Sequence, residues 1–99
     1  MQFEWDENKN QINRNKHSID FEEVKQVFDD TGRKVSKDTK NDNGEERYIL
    51  IGRIIRGIIV VVFTIRKSII RIISARPANK KEREFYEQSN TGNNGKQQE

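Results

Sequence analysis

Polar residues dominate both ends of the chain, and the aliphatic residues crowd into one stretch from Tyr48 to Ile73. Near the start, Phe3-Glu4-Trp5 alternates apolar with polar, the period of a short edge strand. Asp6 then offers an N-cap for a helix through His17, in which Ile12 is the sole aliphatic residue. So thin an apolar stripe makes this helix an outer layer resting on something else. The second helix is better signalled. Asp20 and Glu23 are spaced as a capping box, and Ile19 and Val24 as a hydrophobic staple. Phe21, Val24, Val27 and Phe28 form one apolar stripe at helical spacing, which Asp29-Asp30-Thr31-Gly32 ends.

Four strands follow. Residues 33 to 39 alternate weakly and are polar, as at a sheet edge, and Asn41-Asp42-Asn43-Gly44 is a turn signal. Tyr48 to Ile54, Ile58 to Arg66 and Ile69 to Ala75 are rich in β-branched residues. Tight connections at Arg56-Gly57 and Lys67-Ser68 make them an antiparallel meander. The unbroken run Ile58 to Phe63 predicts a central strand buried on both faces. Pro77 closes the last strand, and Asn79 with Glu82 repeats the capping-box spacing for a short helix through about Gln88. From Ser89 onward no aliphatic residue occurs, which predicts a disordered tail. The expected architecture is α+β: one domain over residues 1–88 and a tail over 89–99. Its order is β-α-α-β-β-β-β-α, with helices packed on an antiparallel sheet.

Composition changes this picture little. A chain of 99 residues leaves little room for a second domain and buries only roughly 60–65% of its unfolded surface. Hydrophobic content of 31% against 35% charged would suggest disorder, but the clustering of the aliphatics permits a local core. With no cysteine, disulfides and thiolate metal sites are excluded, in keeping with a reducing cytoplasm. The opening Met-Gln-Phe-Glu-Trp-Asp-Glu is acidic where a signal peptide would be basic, and the run Ile58 to Ile65 is too short to span a bilayer. A soluble cytoplasmic protein, not engaged with membrane, is expected.

Charge is divided along the chain. Residues 1–50 hold nine Lys/Arg against twelve Asp/Glu, and residues 51–99 hold ten against four, so the net +3 conceals a basic second half. Such asymmetry fits an anionic partner, and equally a solvated surface. Arg66 ends the central strand, Arg71 and Arg76 lie on the last, and Lys80, Lys81 and Arg83 occupy the first turns of the last helix. Arginine's planar fork suits phosphate oxygens, although surface arginines more often pair with acids. Regular alternation places Arg71 with Ile69, Ile73 and Ala75, and Arg76 with Ile70, Ile72 and Ser74. Unless the strand bends before Pro77, that parity separates the two and narrows the main phosphate contacts to Arg66 and Arg76, which meet or not according to the register of the hairpin.

The single histidine, His17, follows Lys16 at the end of the first helix, where a capping role is the commoner one. There is no second histidine, no Gly-rich phosphate loop and no serine-nucleophile motif, so neither a metal nor a cofactor is expected. Acid–base chemistry with electrostatic support remains, and cleavage of RNA meets that constraint because the ribose 2′-hydroxyl is the nucleophile. Lys16, His17 and Tyr86 are the candidate proton carriers, and Arg66 and Arg76 the candidate cations on the phosphoryl group. Arg71, Lys80, Lys81 and Arg83 are candidates for further substrate contacts. Tyr86 serves equally well as a packing residue beside Phe85.

These residues also resemble a known family. Phe3-Glu4-Trp5-Asp6, Asn13 before Lys16-His17, and Phe21-Glu22-Glu23 resemble the N-terminal signature of the BrnT toxins. Glu46-Arg47-Tyr48 with Ile51-Gly52, Val61 to Thr64 with Arg66, Arg71 to Arg76, and Glu82-Arg83 with Tyr86-Glu87 resemble the rest. Ser18 stands where that family usually has glycine, and no proline follows Asp29-Asp30-Thr31. The resemblance implies a RelE-like fold and a type II toxin, an endoribonuclease that inhibits translation and growth. It implies Lys16, His17, Arg66 and Arg76 as the leading site residues, with Tyr86 behind them. It also implies a BrnA-type ribbon-helix-helix antitoxin as partner, with operator DNA reached only through that antitoxin. The alternative from another class is a non-catalytic module that docks a DNA-binding antitoxin as corepressor. Direct DNA binding ranks last, since no helix carries the spaced pattern of a groove reader.

Overall fold

A computed structural model describes residues 1–38 and 44–97, with side chains as far as residue 90. Five strands form one sheet in the order β1-β5-β4-β3-β2. They are β1 (Gln2–Glu4), β2 (Lys34–Asp38), β3 (Arg47–Ile54), β4 (Gly57–Arg66) and β5 (Ile69–Pro77). β2 to β5 are the expected antiparallel meander, and β4 is central and buried on both faces along most of its length. β1 departs from the expectation. It pairs parallel with β5, Phe3 opposite Ile70, so the sheet is mixed rather than antiparallel. The helices and three further strands between them let β1 run alongside β5 in the same direction, which two strands joined by a tight turn cannot do. The turn expected at Asn41-Asp42-Asn43-Gly44 lies outside the described residues except for Gly44.

The helices start where their caps require. Asp6 accepts from the backbone N–H groups of Asn8 and Lys9 and opens α1 (Glu7–His17), and Ser18 stops it in the left-handed region at φ 61°. Asp20 and Glu23 close a reciprocal capping box on α2 (Phe21–Val24). The regular α-helix expected through Phe28 gives way after Val24 to a tighter 3-10 helix over Lys25–Asp29. This change of pitch still buries Val27 and Phe28 beside Phe21 and Val24. Asn79 and Glu82 exchange hydrogen bonds of 2.8 and 2.9 Å at the start of α3 (Lys80–Gln97). α3 runs past Gln88 to Gln97, so the expected helix end at about Gln88 is corrected. Asn90 contributes to this continuation by donating to the Tyr86 carbonyl at 2.7 Å and the Gly32 carbonyl at 3.2 Å.

The two faces of the sheet carry different layers. α1 and α2 cover a core of Leu50, Ile54, Ile59, Val61, Phe63, Ile72 and Ala75. Phe3, Phe28, Phe63 and Tyr48 make a chain of ring contacts through it at 5.1–5.4 Å between centroids. α3 packs on the opposite face, where Ala78 and Tyr86 meet Ile49, Ile51, Ile58 and Val60. No helix among the described residues is long and apolar enough to cross a membrane.

Candidate functional site

The arrangement of the site depends on an irregularity in β5. Val62 pairs with Ser74 and Phe63 with Ile72, so Ile73 is an extra residue in a bulge. An inserted residue reverses the alternation on one side of it. Ile72 and Ala75 therefore both point into the core, and Arg76 joins Arg71 on the opposite face. This corrects the parity argument that had separated those two arginines. Thr64 lies opposite Arg71 and Val60 opposite Arg76, and Arg66 shares their face two residues beyond Thr64. The same register puts Arg66 beside Ile69, at the far end of the hairpin from Arg76. Six residues of strand separate Val60 from Arg66, roughly 20 Å at about 3.3 Å per residue. Arg66 and Arg76 thus mark two ends of one basic face rather than one focus.

Each of these arginines holds a carboxylate. Arg76 makes a two-pronged contact with Glu82, both bonds 2.8 Å, while Glu82 also accepts from Asn79 N–H at 2.9 Å. The Arg76 hydrogen bonds hold the Glu82 carboxyl below its usual range, and the same contact raises Arg76. Arg71 donates to Glu4 at 3.2 Å. Arg66 engages both oxygens of Glu45, its Nη2 at 3.1 Å from Oε1, and that bond keeps the Glu45 carboxyl low. A phosphodiester offers similar paired oxygens, so the two-pronged forks of Arg76 and Arg66 are preshaped for it.

The end of α1 is brought to the Arg76 end of β5 by a buried asparagine. Asn13 accepts from Ala75 N–H at 3.1 Å and donates to the Ile19 carbonyl at 3.1 Å. It satisfies a backbone donor that β1, pairing only through Arg71, leaves open. A groove of about 210 Å³ results, lined by Lys9, Ile12, Asn13, Lys16, His17, Ile73 and Ser74. His17 also lines a neighbouring hollow of about 130 Å³ beside Pro77 and Arg56. Lys16 and His17 thus share a groove with Ile73 and Ser74, and His17 also reaches Pro77, the chain neighbour of Arg76, while Arg76 itself lines neither hollow.

The remaining candidates divide. Lys80 and Lys81 are exposed at the start of α3, and Arg83 is exposed and donates to the Ala78 carbonyl at 2.8 Å. Tyr86 is 5% exposed, and its hydroxyl donates to Asp30 Oδ2 at 2.6 Å beneath α3. Burial, then the bond to Asp30, pushes the Tyr86 phenol up. Burial also pushes the Asp30 carboxyl up, but hydrogen bonds from Tyr86, Gly32 and Arg53 outweigh it and leave Asp30 low. Tyr86 thus lies among packing residues, apart from Lys16 and His17. Among the described residues no group of three or more His, Cys, Asp or Glu is placed to hold a metal ion.

Two members of the basic face are not evident from the sequence pattern alone. Arg47 opens β3 on the face opposite Tyr48, and its Nε is buried without a hydrogen-bond partner. Glu45 lies among Arg66, Arg47 and Arg71, all of which lower its carboxyl. Their signal was the Glu-Glu-Arg cluster before the β3 aliphatics, legible only once the strand register is known.

Residues 5–82 match a family model described as "Ribonuclease toxin, BrnT, of type II toxin-antitoxin system". The match includes Lys16, His17, Arg47, Arg66, Arg71 and Arg76 and stops short of Tyr86. No curated protein matches the chain.

Proposed function

The chain belongs to the BrnT ribonuclease toxins of type II toxin–antitoxin systems, and from that premise we propose that it is a metal-independent endoribonuclease with a RelE-like fold. The observation that carries the proposal is the bulge at Ile73, which brings Arg76 to the sheet face of Arg66 and Arg71, with Lys16 and His17 on a groove shared with Ile73 and Ser74 of the same strand.

In the proposed reaction the ribose 2′-oxygen attacks the adjacent phosphorus and the bond to the 5′-oxygen breaks. One side chain takes the 2′ proton and another delivers a proton to the departing oxygen. His17 and Lys16 carry these protons, and Arg76 offsets the charge that builds on the phosphoryl oxygens. The products are a 2′,3′-cyclic phosphate and a 5′-hydroxyl. Arg66 and Arg71, too far along the hairpin to share that phosphate, hold the chain to one side, and Lys80, Lys81 and Arg83 hold it on the other. Tyr86 supports the site through Asp30 and the seating of α3 rather than by carrying a proton.

The proposed partner is a BrnA-type ribbon-helix-helix antitoxin, which covers the toxin in the cytoplasm and carries it to operator DNA. The test is incubation of the partner-free chain with RNA in a chelator. Cleavage is expected, and His17→Ala or Arg76→Ala should slow it by about 10²-fold or more. Intact RNA at high protein concentration, together with undiminished growth of cells producing the chain, refutes the reading and leaves the corepressor role.

A further inference from the structure

The register defines a row of side chains across the sheet on the face not covered by α1 and α2. Asp38 lies opposite Arg47, Thr64 opposite Arg71, and Arg71 opposite Glu4. Tyr48 pairs with Phe63, so Arg47 stands next to Thr64 in the same row. Arg66 joins them from two residues along β4. Three guanidinium groups on three adjacent strands thus surround Thr64, which is 1% exposed and donates to the Glu46 carbonyl at 2.6 Å. Fixing that hydroxyl to the backbone makes Thr64 a floor for the cluster. α3 packs over Ile49, Ile51, Ile58 and Val60, and the half-buried Val62 separates those positions from this row.

We propose that Arg47, Arg66 and Arg71 form a phosphodiester-binding site around Thr64, in which Glu45 is a tethered anion that RNA displaces. This rests on the reading of the chain as an RNA-cleaving toxin and adds a substrate contact to it. Three features support it. Both oxygens of Glu45 accept hydrogen bonds from Arg66, while Arg47 keeps a buried Nε donor with no partner. A buried donor left unmade is costly, and an anion entering the cluster would supply the missing acceptor. The three cations come from β3, β4 and β5, whose ladder hydrogen bonds fix their spacing before any ligand arrives. Arg71 lies roughly 15 Å along β5 from Arg76 at about 3.3 Å per residue, so this site takes a phosphate other than the one cut. It therefore governs binding rather than the chemical step.

The experiment measures affinity of the full chain for a short single-stranded RNA methylated at its 2′-oxygens, which binds but cannot be cut, over a range of salt. Turnover of the unmodified RNA is measured alongside. Arg47→Gln should weaken binding roughly tenfold and reduce the slope of log affinity against log salt by about 0.7, with kcat held and KM raised. Glu45→Gln should move affinity the other way, tightening it, because the resident anion is gone. That opposite sign is not produced by a structural defect, and it decides the matter even if Arg47→Gln folds poorly. Unchanged affinity and slope in both variants, or weaker binding in Glu45→Gln, overturns the site while parental cleavage leaves the toxin reading standing. Displacement of the RNA by polyglutamate of equal charge at equal concentration also overturns it, since the cluster would then favour an acidic peptide. A parent chain that neither binds nor cuts RNA defeats both.

Discussion

Replacing Asn13 with alanine should remove far more stability than replacing the exposed polar residues of α1. Its side chain is 6% exposed, and its two partners belong to residues that are also buried, Ala75 at 1% and Ile19 at 3%. The substitution leaves the Ala75 N–H and the Ile19 carbonyl without partners in the interior. Each such group costs about 1–3 kcal/mol, and alanine's helix propensity returns about 0.5, for a net loss of roughly 3 kcal/mol. A chain of this length has a total stability of about 5–15 kcal/mol, so the loss is a large share of it. At about 4–8 °C per kcal/mol, Tm should fall by roughly 12–24 °C. Thermal unfolding followed by circular dichroism measures this, with Asn15→Ala as control, since Asn15 only accepts from Gln11 at the surface. If Asn13→Ala unfolds within about 0.5 kcal/mol of Asn15→Ala, the buried asparagine does not pin α1 to β5, and the placement of Lys16 and His17 loses its physical basis.

Tyr86→Phe should cost roughly 1.5 kcal/mol, the lower range for a hydrogen bond to a charged group, because Asp30 keeps its bonds from Gly32 and Arg53. RNA cleavage by the folded fraction should stay within about twofold of the parent; a large loss of kcat without loss of Tm makes Tyr86 a proton carrier after all. Lys67 and Ser68 both adopt left-handed backbone in the β4–β5 turn, at φ 51° and 69°, so changing them to Asn-Gly should raise stability by about 1 kcal/mol in a denaturant titration. The carboxyls of Asp20, Asp30 and Glu82 lie below their ordinary values in the folded chain. Groups with depressed folded pKa stabilise fully above the unfolded value and lose that contribution as pH falls through the folded one. Tm should accordingly be level above about pH 5 and decline below about pH 4; a Tm that rises on acidification contradicts the three pairings.

The local signals in the sequence were reliable where one short segment contains the whole interaction. Asp20 with Glu23 and Asn79 with Glu82 are complete within one helical turn, and both boxes form. The meander was legible because its strands are consecutive and their aliphatics continuous. What failed depends on distant partners. β1 contains nothing to show that it will lie parallel to β5, since its partner is the last strand of the meander, far along the chain. The bulge falls at Ile73, between Ile72 and Ser74, where no glycine or proline marks the extra residue, and only pairing with Val62 and Phe63 reveals it. That one residue reversed the expected relation of Arg71 to Arg76. The place of Arg47 is illegible in the sequence for a similar reason, because its neighbours Thr64 and Arg71 come from other strands. Asn10 and Asn13 left a fainter trace, two amides three apart on a helix with hardly any apolar stripe, which bury as hydrogen-bonding anchors instead.

The central claim is cleavage through the ribose 2′-hydroxyl at a site built from Lys16, His17 and Arg76. The most direct test is the chemistry of the ends left by the purified, partner-free chain acting on RNA in chelator. The account requires 5′-hydroxyl fragments that accept a labelled phosphate without prior dephosphorylation, matched by 2′,3′-cyclic phosphates, and no cutting where the nucleotide 5′ to the break is 2′-deoxy. Fragments bearing 5′-phosphates, or cleavage that persists at a 2′-deoxy position, would contradict it.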